Sequence, residues 1–376
     1  MQKLITKYTF LYIILIFCST ILQIIPGIAL LREGYILFLF FACLIYLVKL
    51  RVKKISFLII IYILCNFISY RISSNPGDAL SSFILYISGP LIFILLTCIP
   101  LSEKTINNID NGIKKLFVGL ILIALILFPV QKQFYSIFGI DKSRNFINLY
   151  RFTAGGGMKF RLSGLCAHPT TMGAICLFIL IDYFFIKKNK KSISVLIPYY
   201  LSDTRSILLG TPFVWYAFLP PKKKFFVTIL VPLLVIAFVF ILLNSVLDPS
   251  ALIHFADLLE NGPKLLFGNI SLFGNGHGTM SPFTTKSDFI HVESDLYIAI
   301  MQIGVIGIAL YLMIIAAFIH ILKKDNNQKS KYCAAVCICV NIGCIVLSYY
   351  AVRFLSNYMW IELGLYFSSR RYLCKK

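Results

Sequence analysis

Acidic residues are scarce in this chain: 15 Asp and Glu stand against 36 Lys and Arg in 376 residues, and charged residues of both signs make up only 14%. A soluble domain carries roughly a quarter charged residues, so a water-solvated globule is excluded as the simplest reading. No segment is polar enough and long enough to form a separate soluble domain. A cleavable leader is not expected either. The apolar run Tyr8–Leu31 follows Lys3 and Lys7, but it is long for a signal peptide and no small-x-small cleavage site follows it. A nucleotide-binding loop is lacking too. Gly155-Gly156-Gly157 has no Gly-Lys-Ser/Thr continuation and no expected preceding strand, so it reads as a flexible linker. Ten of the eleven cysteines fall within apolar runs or beside the inner loops, which implies no disulfide framework. Cys333, Cys337 and Cys339 share one helix, where small side chains are ordinary packing between membrane helices, and we expect no bound metal and no cofactor.

What the chain has is hydrophobicity. Of its residues 59% are hydrophobic and the mean hydropathy is +0.85. Apolar runs of roughly 17–25 residues, enough to cross a hydrocarbon layer of ~30 Å, recur along its length. They place spans at about 8–31, 34–48, 55–70, 79–100, 116–130, 167–186, 192–202, 205–219, 225–247, 294–322, 332–352 and 354–368. The expected fold is therefore an all-α, polytopic integral membrane protein. It has about 12 transmembrane helices in one membrane domain, 1–376, with larger outer loops at about 131–166 and 248–293.

Basic residues favour cytoplasmic loops, and placing both termini inside puts 24 of the 36 Lys and Arg there. The same rule divides residues 192–219, because Lys187–Lys191 and Lys222–Lys224 both belong inside. The chain must go out and return, and a hairpin turning at Ser202-Asp203-Thr204-Arg205 does so with two short arms. Such a shallow hairpin is tolerated only where protein or a water-filled cavity surrounds it.

The outer loop at 131–166 breaks the charge rule. Lys132, Lys142, Arg144, Arg151, Lys159 and Arg161 face one acid, Asp141, a net charge of +5 that calls for an anionic partner. Lys132 and Lys142, close to span ends, fit lipid head groups. Arg161, in Arg161-Leu-Ser-Gly-Leu-Cys-Ala-His168-Pro169, stands at the mouth of the next span, and a guanidinium forms forked hydrogen bonds to phosphate oxygens. In the second loop, Asp248-Pro249 to Gly262-Pro263 reads as a short amphipathic helix lying flat on the bundle. A glycine-rich stretch, Phe267-Gly to His277-Gly278, follows, and then His291-Val-Glu293-Ser-Asp295 enters the next span. Acids in a first helical turn complement its dipole, which alone accounts for Asp295. A neutral imidazole at His291 is placed to take a proton from a sugar hydroxyl, with His254 and His277 as weaker rivals.

Three ordered stretches resemble the O-antigen polymerase and ligase superfamily. They are Arg161-Leu-Ser-Gly…His168-Pro169-Thr-Thr-Met-Gly173, Leu201-Ser-Asp-Thr-Arg205-Ser206, and Phe273-Gly-Asn-Gly276…His291-Val-Glu293-Ser-Asp…Gly304-Val-Ile-Gly307. The resemblance covers about 113–322 and departs from the family at Thr170, often Asn, and at Val292, Asn in ligases. It implies a metal-independent glycosyltransferase in a bacterial cytoplasmic membrane that polymerises oligosaccharide repeat units linked to undecaprenyl pyrophosphate. Arg161 and Arg205, with Arg151 and Lys159, would hold the pyrophosphate; His291, helped by Glu293, would be the base. The partners expected are the lipid-linked donor and acceptor and the bilayer, with a chain-length regulator left open and no nucleic acid. A ligase to lipid A core, or a flippase for lipid-linked oligosaccharide, are the alternatives. A flippase would carry its charges inside the spans.

Overall fold

The computed structural model describes residues 54–74, 76–98, 101–137, 150–152, 158–166, 168–187, 194–202, 204, 210–220, 270–278, 294–325, 327–346 and 349–373, with positions 7, 9, 11, 13, 14, 34, 223, 260 and 263. The spans expected at 8–31, 34–48 and 225–247 lie outside these residues apart from isolated positions. So does the amphipathic helix expected over 248–262, save Glu260.

Helices dominate. α1 (Lys54–Ile72) and α2 (Pro76–Cys98) form an antiparallel pair, and Pro76 opens α2 where its missing N–H costs nothing. α3 (Glu103–Leu127) is capped by Ser102, whose Oγ accepts from Thr105 N at 3.2 Å. It ends where Pro129 tightens the chain into a single 3-10 turn, which leads into the short α4 (Gln131–Ile137). α5 (Pro169–Leu180) widens at its end into a π-turn over Ile181–Ile186. α6 (Leu196–Ser202) packs on α5, and α7 (Gly210–Phe218) follows it in sequence, the turn expected between them lying mostly outside the described residues. α8 (Asp295–Asp325), α9 (Gln328–Val346) and α10 (Tyr349–Leu373) complete the described helices.

Three segments are long and apolar enough to cross a membrane: Ile55–Ile72, Glu103–Ile137 and Leu296–Asp325. Shorter apolar helices run over Ser82–Cys98 and Pro169–Tyr183. The distribution of apolar side chains fits a lipid solvent. α3 buries a helical stripe of Ile106, Ile109, Ile113, Phe117, Leu120, Ile121 and Ala124, yet its opposite face exposes Leu122 and Ile126 where a soluble helix turns polar groups to water. α5 is buried on every side, as a central helix should be. α2 and α10 pack along their length. Phe93, Phe318, Trp360 and Phe367 join them to α8, with ring centroids 5.0 to 5.8 Å apart and mostly edge to face.

The described residues are helical as expected, with one short antiparallel ribbon of Tyr150–Phe152 (β1) and Met158–Phe160 (β2). Three finer expectations need correction. A strand therefore does precede Gly155-Gly156-Gly157, but the glycines join two strands rather than a strand and a helix. α3 starts at Glu103, well before the expected boundary at 116: Ser102 caps it, Glu103, Lys104, Asn107 and Asn108 stay exposed, and Lys114 is paired with Asp110 and Asp182. The last two spans do not divide at Arg353, which lies inside α10; a charge without proline, glycine or a cap does not end a helix.

Because successive helices alternate in direction, the bundle has two distinct ends. One gathers the end of α1, the start of α2, α4, the start of α5, the end of α6, residues 270–278 and the start of α8. The other gathers the start of α3, the π-turn, the end of α8, the start of α9 and the end of α10. There Lys114 Nζ lies 3.1 Å from both Asp110 Oδ2 and Asp182 Oδ1, and Lys187 Nζ lies 2.7 Å from Asp182 Oδ2. Glu362, fully buried on α10, is a third carboxylate within electrostatic reach of Lys114.

Candidate functional site

The first end is built from two sequence-distant motifs. After β2 the chain enters Arg161 to Cys166, and Leu162 N donates to Leu201 O at 2.9 Å, docking this loop onto the end of α6. Beside that bond Arg161 Nε donates to Ser202 O at 3.1 Å. The side chain of Arg161 is thereby tied to the end of α6, three residues before Arg205 in sequence.

The start of α5 closes the arrangement. His168 is its N-cap, and Nδ1 accepts from Thr170 N at 3.2 Å. Thr171 N donates to His168 O at 3.0 Å, so the first-turn amides are occupied from within. Because Nδ1 accepts this bond it carries no proton, so the imidazole serves here as a neutral cap. Thr204 Oγ1 donates to Pro169 O at 3.2 Å and Tyr199 OH donates to Thr204 O at 2.5 Å. The contact depends on Gly173, since a Cβ there would stand 2.5 Å from Thr204 Cβ and 2.8 Å from Ser202 Oγ. Residues 161–173 and 201–204 thus form one packed unit.

α4 braces that unit from the other side. Gln131, fully buried, donates from Nε2 to Arg161 O at 3.1 Å, and its Oε1 accepts from Ser163 N at 3.1 Å and Gly164 N at 2.9 Å. Tyr135 OH donates to Gly164 O at 2.5 Å.

A second construction lies at the same end. α8 is interrupted at Gly304, whose φ of 73° and ψ of 179° are non-helical. Residues 270–278 fill the gap. Val305 N donates to Ser271 O at 3.2 Å, Ile306 N to Leu272 O at 3.1 Å, and Asn275 N to Met301 O at 2.7 Å, while Ser69 Oγ donates to Gln302 O. The backbone groups freed by the break are therefore satisfied by protein, as helix interruption in a membrane requires. His277 is fully buried behind this loop. Its Nδ1 lies 3.2 Å from Ser82 Oγ, which donates to Gln302 Oε1 at 2.8 Å, and Phe83 and Tyr86 pack on its ring. Desolvation lowers its pKa to about 3, against smaller opposing effects of Gln302 and the Asn66 backbone.

Of the residues singled out by sequence, Arg161 lies in the packed unit. Arg151 and Lys159 stand opposite each other in the ribbon register. Arg205, His254, His291 and Glu293 lie outside the described residues, although Thr204 and Ser294 beside them are described and buried. Sequence reasoning passed over Gln131, His168 as a cap, and Gln302. An amide after a proline turn has no local signature; only the helix start at Pro169 marked His168 as a capping position. Compared with family models, curated proteins and solved structures, the chain matches none.

Proposed function

We propose that this chain is a membrane-embedded glycosyltransferase that polymerises oligosaccharide repeat units carried on polyprenyl pyrophosphate. The observation that carries the reading is the packing of the Arg161-to-Gly173 motif against Ser202 and Thr204. It ties one guanidinium to the segment that Arg205 follows directly in sequence. In this reading both arginines serve one site, which matches a leaving group with two phosphates. The first-turn amides of α5 are already engaged, so the anion relies on side-chain cations.

In the proposed reaction the acceptor hydroxyl oxygen bonds to the anomeric carbon of the donor as the bond from that carbon to the pyrophosphate oxygen breaks. The electron pair leaves with polyprenyl pyrophosphate, where Arg161 and Arg205 stabilise the developing charge, with Arg151 and Lys159 adding to the field. The hydroxyl proton passes to His291, oriented by Glu293. The end bearing Arg161 faces outward from a bacterial cytoplasmic membrane and both termini lie inside, because Lys114, Lys187, Lys323, Lys324, Lys329 and Lys331 belong to the opposite end. Twelve spans are part of the same proposal.

The buried charges at the opposite end bear on the flippase alternative, which expects cations within the spans. Here the cations Lys114 and Lys187 are already paired with Asp110 and Asp182, which leaves them poorly placed to carry a pyrophosphate. The polymerase reading is favoured. Its test is the purified chain in lipid nanodiscs with a synthetic polyprenyl-pyrophosphate-linked repeat unit. A ladder of longer lipid-linked products, with polyprenyl pyrophosphate released, supports it. Transfer only to a lipid A core acceptor, or no transfer by a well-folded protein, refutes it.

A further inference from the structure

We infer that Gln131 is a positioning residue for the Arg161 guanidinium, an inference that rests on the pyrophosphate reading above. The geometry is specific. Two backbone donors, Ser163 N and Gly164 N, converge on one end of its amide, and one backbone acceptor, Arg161 O, meets the other. That pattern fixes the amide orientation, because the reverse would set acceptor against acceptor and donor against donor. Only a primary amide satisfies all three groups at once.

These bonds hold the backbone of Arg161 itself and of the residues just after it. The Arg161 side chain has a second anchor, its Nε bond to Ser202 O, which fixes the direction in which the remaining guanidinium nitrogens fan out. Gln131 sets where the side chain begins and Ser202 sets where it points. The design suits a clamp that stays in place while its ligand changes from a glycosylated to a released polyprenyl pyrophosphate. Gln131 is itself held: it opens α4 directly after the Pro129 turn, and Tyr135, one turn on, bonds Gly164 O. α4 thus serves as a rigid bracket between α3 and the arginine loop.

The test measures binding of polyprenyl pyrophosphate and of polyprenyl monophosphate to the full chain in nanodiscs. The variants are Gln131→Met, Gln131→Glu, Arg161→Ala and Arg161→Ala combined with Gln131→Glu. Gln131→Met removes all three bonds at similar volume. Gln131→Glu keeps acceptors for Ser163 N and Gly164 N but turns the Arg161 carbonyl contact into a repulsion, so it guards against simple misfolding. Thermal unfolding of each variant shows which are folded. The expected result for folded Gln131→Glu is about tenfold weaker pyrophosphate binding, the loss expected when one charge-assisted hydrogen bond is misplaced. Monophosphate binding should change less, and Gln131→Glu should add nothing to Arg161→Ala. Wild-type pyrophosphate affinity in Gln131→Glu beside a weakened Arg161→Ala overturns the role of Gln131 and leaves the functional reading standing. Additive losses also overturn it, since they make Gln131 merely structural. Unchanged affinity in Arg161→Ala removes the pyrophosphate reading and this inference with it.

Discussion

Replacing Gly304 by alanine attacks the break in α8 directly. At φ 73° and ψ 179° the residue occupies a region essentially reserved for glycine, where a side chain costs of order 1–3 kcal/mol. The added Cβ would also stand 2.2 Å from Gly274 N and 2.4 Å from Leu272 O. Both are backbone atoms, so no rotamer relieves the overlap; loop and helix must part by about an ångström. Bonds now at 3.1 and 3.2 Å, from Ile306 N to Leu272 O and Val305 N to Ser271 O, would then break, and the bond from Asn275 N to Met301 O would follow. Three bonds at about 1 kcal/mol each, added to the strain, give about 4–6 kcal/mol. That is a large share of a typical stability of about 5–15 kcal/mol, and alanine gives α8 a local reason to close into continuous helix. Detachment of residues 270–278 is the expected outcome. Hydrogen exchange in nanodiscs should show lost protection at Asn275, Val305 and Ile306 with the far end of the bundle unchanged, and a lower thermal midpoint. Gly119→Ala in α3 is the control, since no atom lies within 4 Å of its added Cβ. Wild-type exchange and midpoint in Gly304→Ala would refute the reasoning.

At the other end, Lys114→Met leaves partly buried Asp110 without its cation while Asp182 keeps Lys187, and should cost about 3 kcal/mol in thermal or denaturant unfolding; a loss below about 1 kcal/mol would mean that solvent already screens the group. His277 titrates near 3 when folded and near 6.5 when unfolded, so the unfolded chain gains protons first as pH falls. Its contribution is complete above about 6.5 and declines through the window down to about 3. At pH 5 the loss is about 2 kcal/mol, and His277→Asn should flatten the acid limb of stability against pH. His291→Ala should abolish elongation while donor binding persists, with Glu293→Gln costing less; the reverse order makes the carboxylate the base. A reporter fused at Gly262 should be active only outside the cell, and cytoplasmic activity would overturn the orientation.

How much of this was legible in the sequence depends on the range of the signal. Apolar runs gave most described helices, because hydropathy over a turn or two is local information. The hairpin expected to turn near Ser202 came from charge placement alone, and its turn falls largely on residues 203 and 205–209, outside the described residues. The early start of α3 was not legible from hydropathy, because its first turns carry the exposed Glu103, Lys104, Asn107 and Asn108. Gly304 could be read as a motif glycine but not as a break, since what fills the break comes from residues 271–275, about thirty positions upstream. Gln131 was hidden for the same reason: its three partners lie around thirty residues away, in a loop without regular structure.

The same long-range geometry bears on which histidine takes the proton. Burial alone removes His277 from contact with a sugar: it is 0% exposed, its Nδ1 faces Ser82, and two aromatic rings cover it. Its task is to pin the glycine-rich loop, since Ser73 Oγ donates to His277 O at 2.6 Å and His277 N donates to Ser69 O at 3.4 Å. That pinning matters for His291. Residues 279–293 run between two fixed points, Gly278 and Ser294, both buried at the end of the bundle that holds Arg161. His291 is three residues from Ser294, whose carbonyl accepts the first bond of α8 from Ile298 N at 3.2 Å. Three residues of extended chain span at most about 10 Å, so His291 stays within that distance of the start of α8 whatever path the rest of the segment takes. In the proposed reaction that tether keeps His291 near the helix start, whereas a histidine sealed behind two aromatic rings cannot touch a sugar hydroxyl.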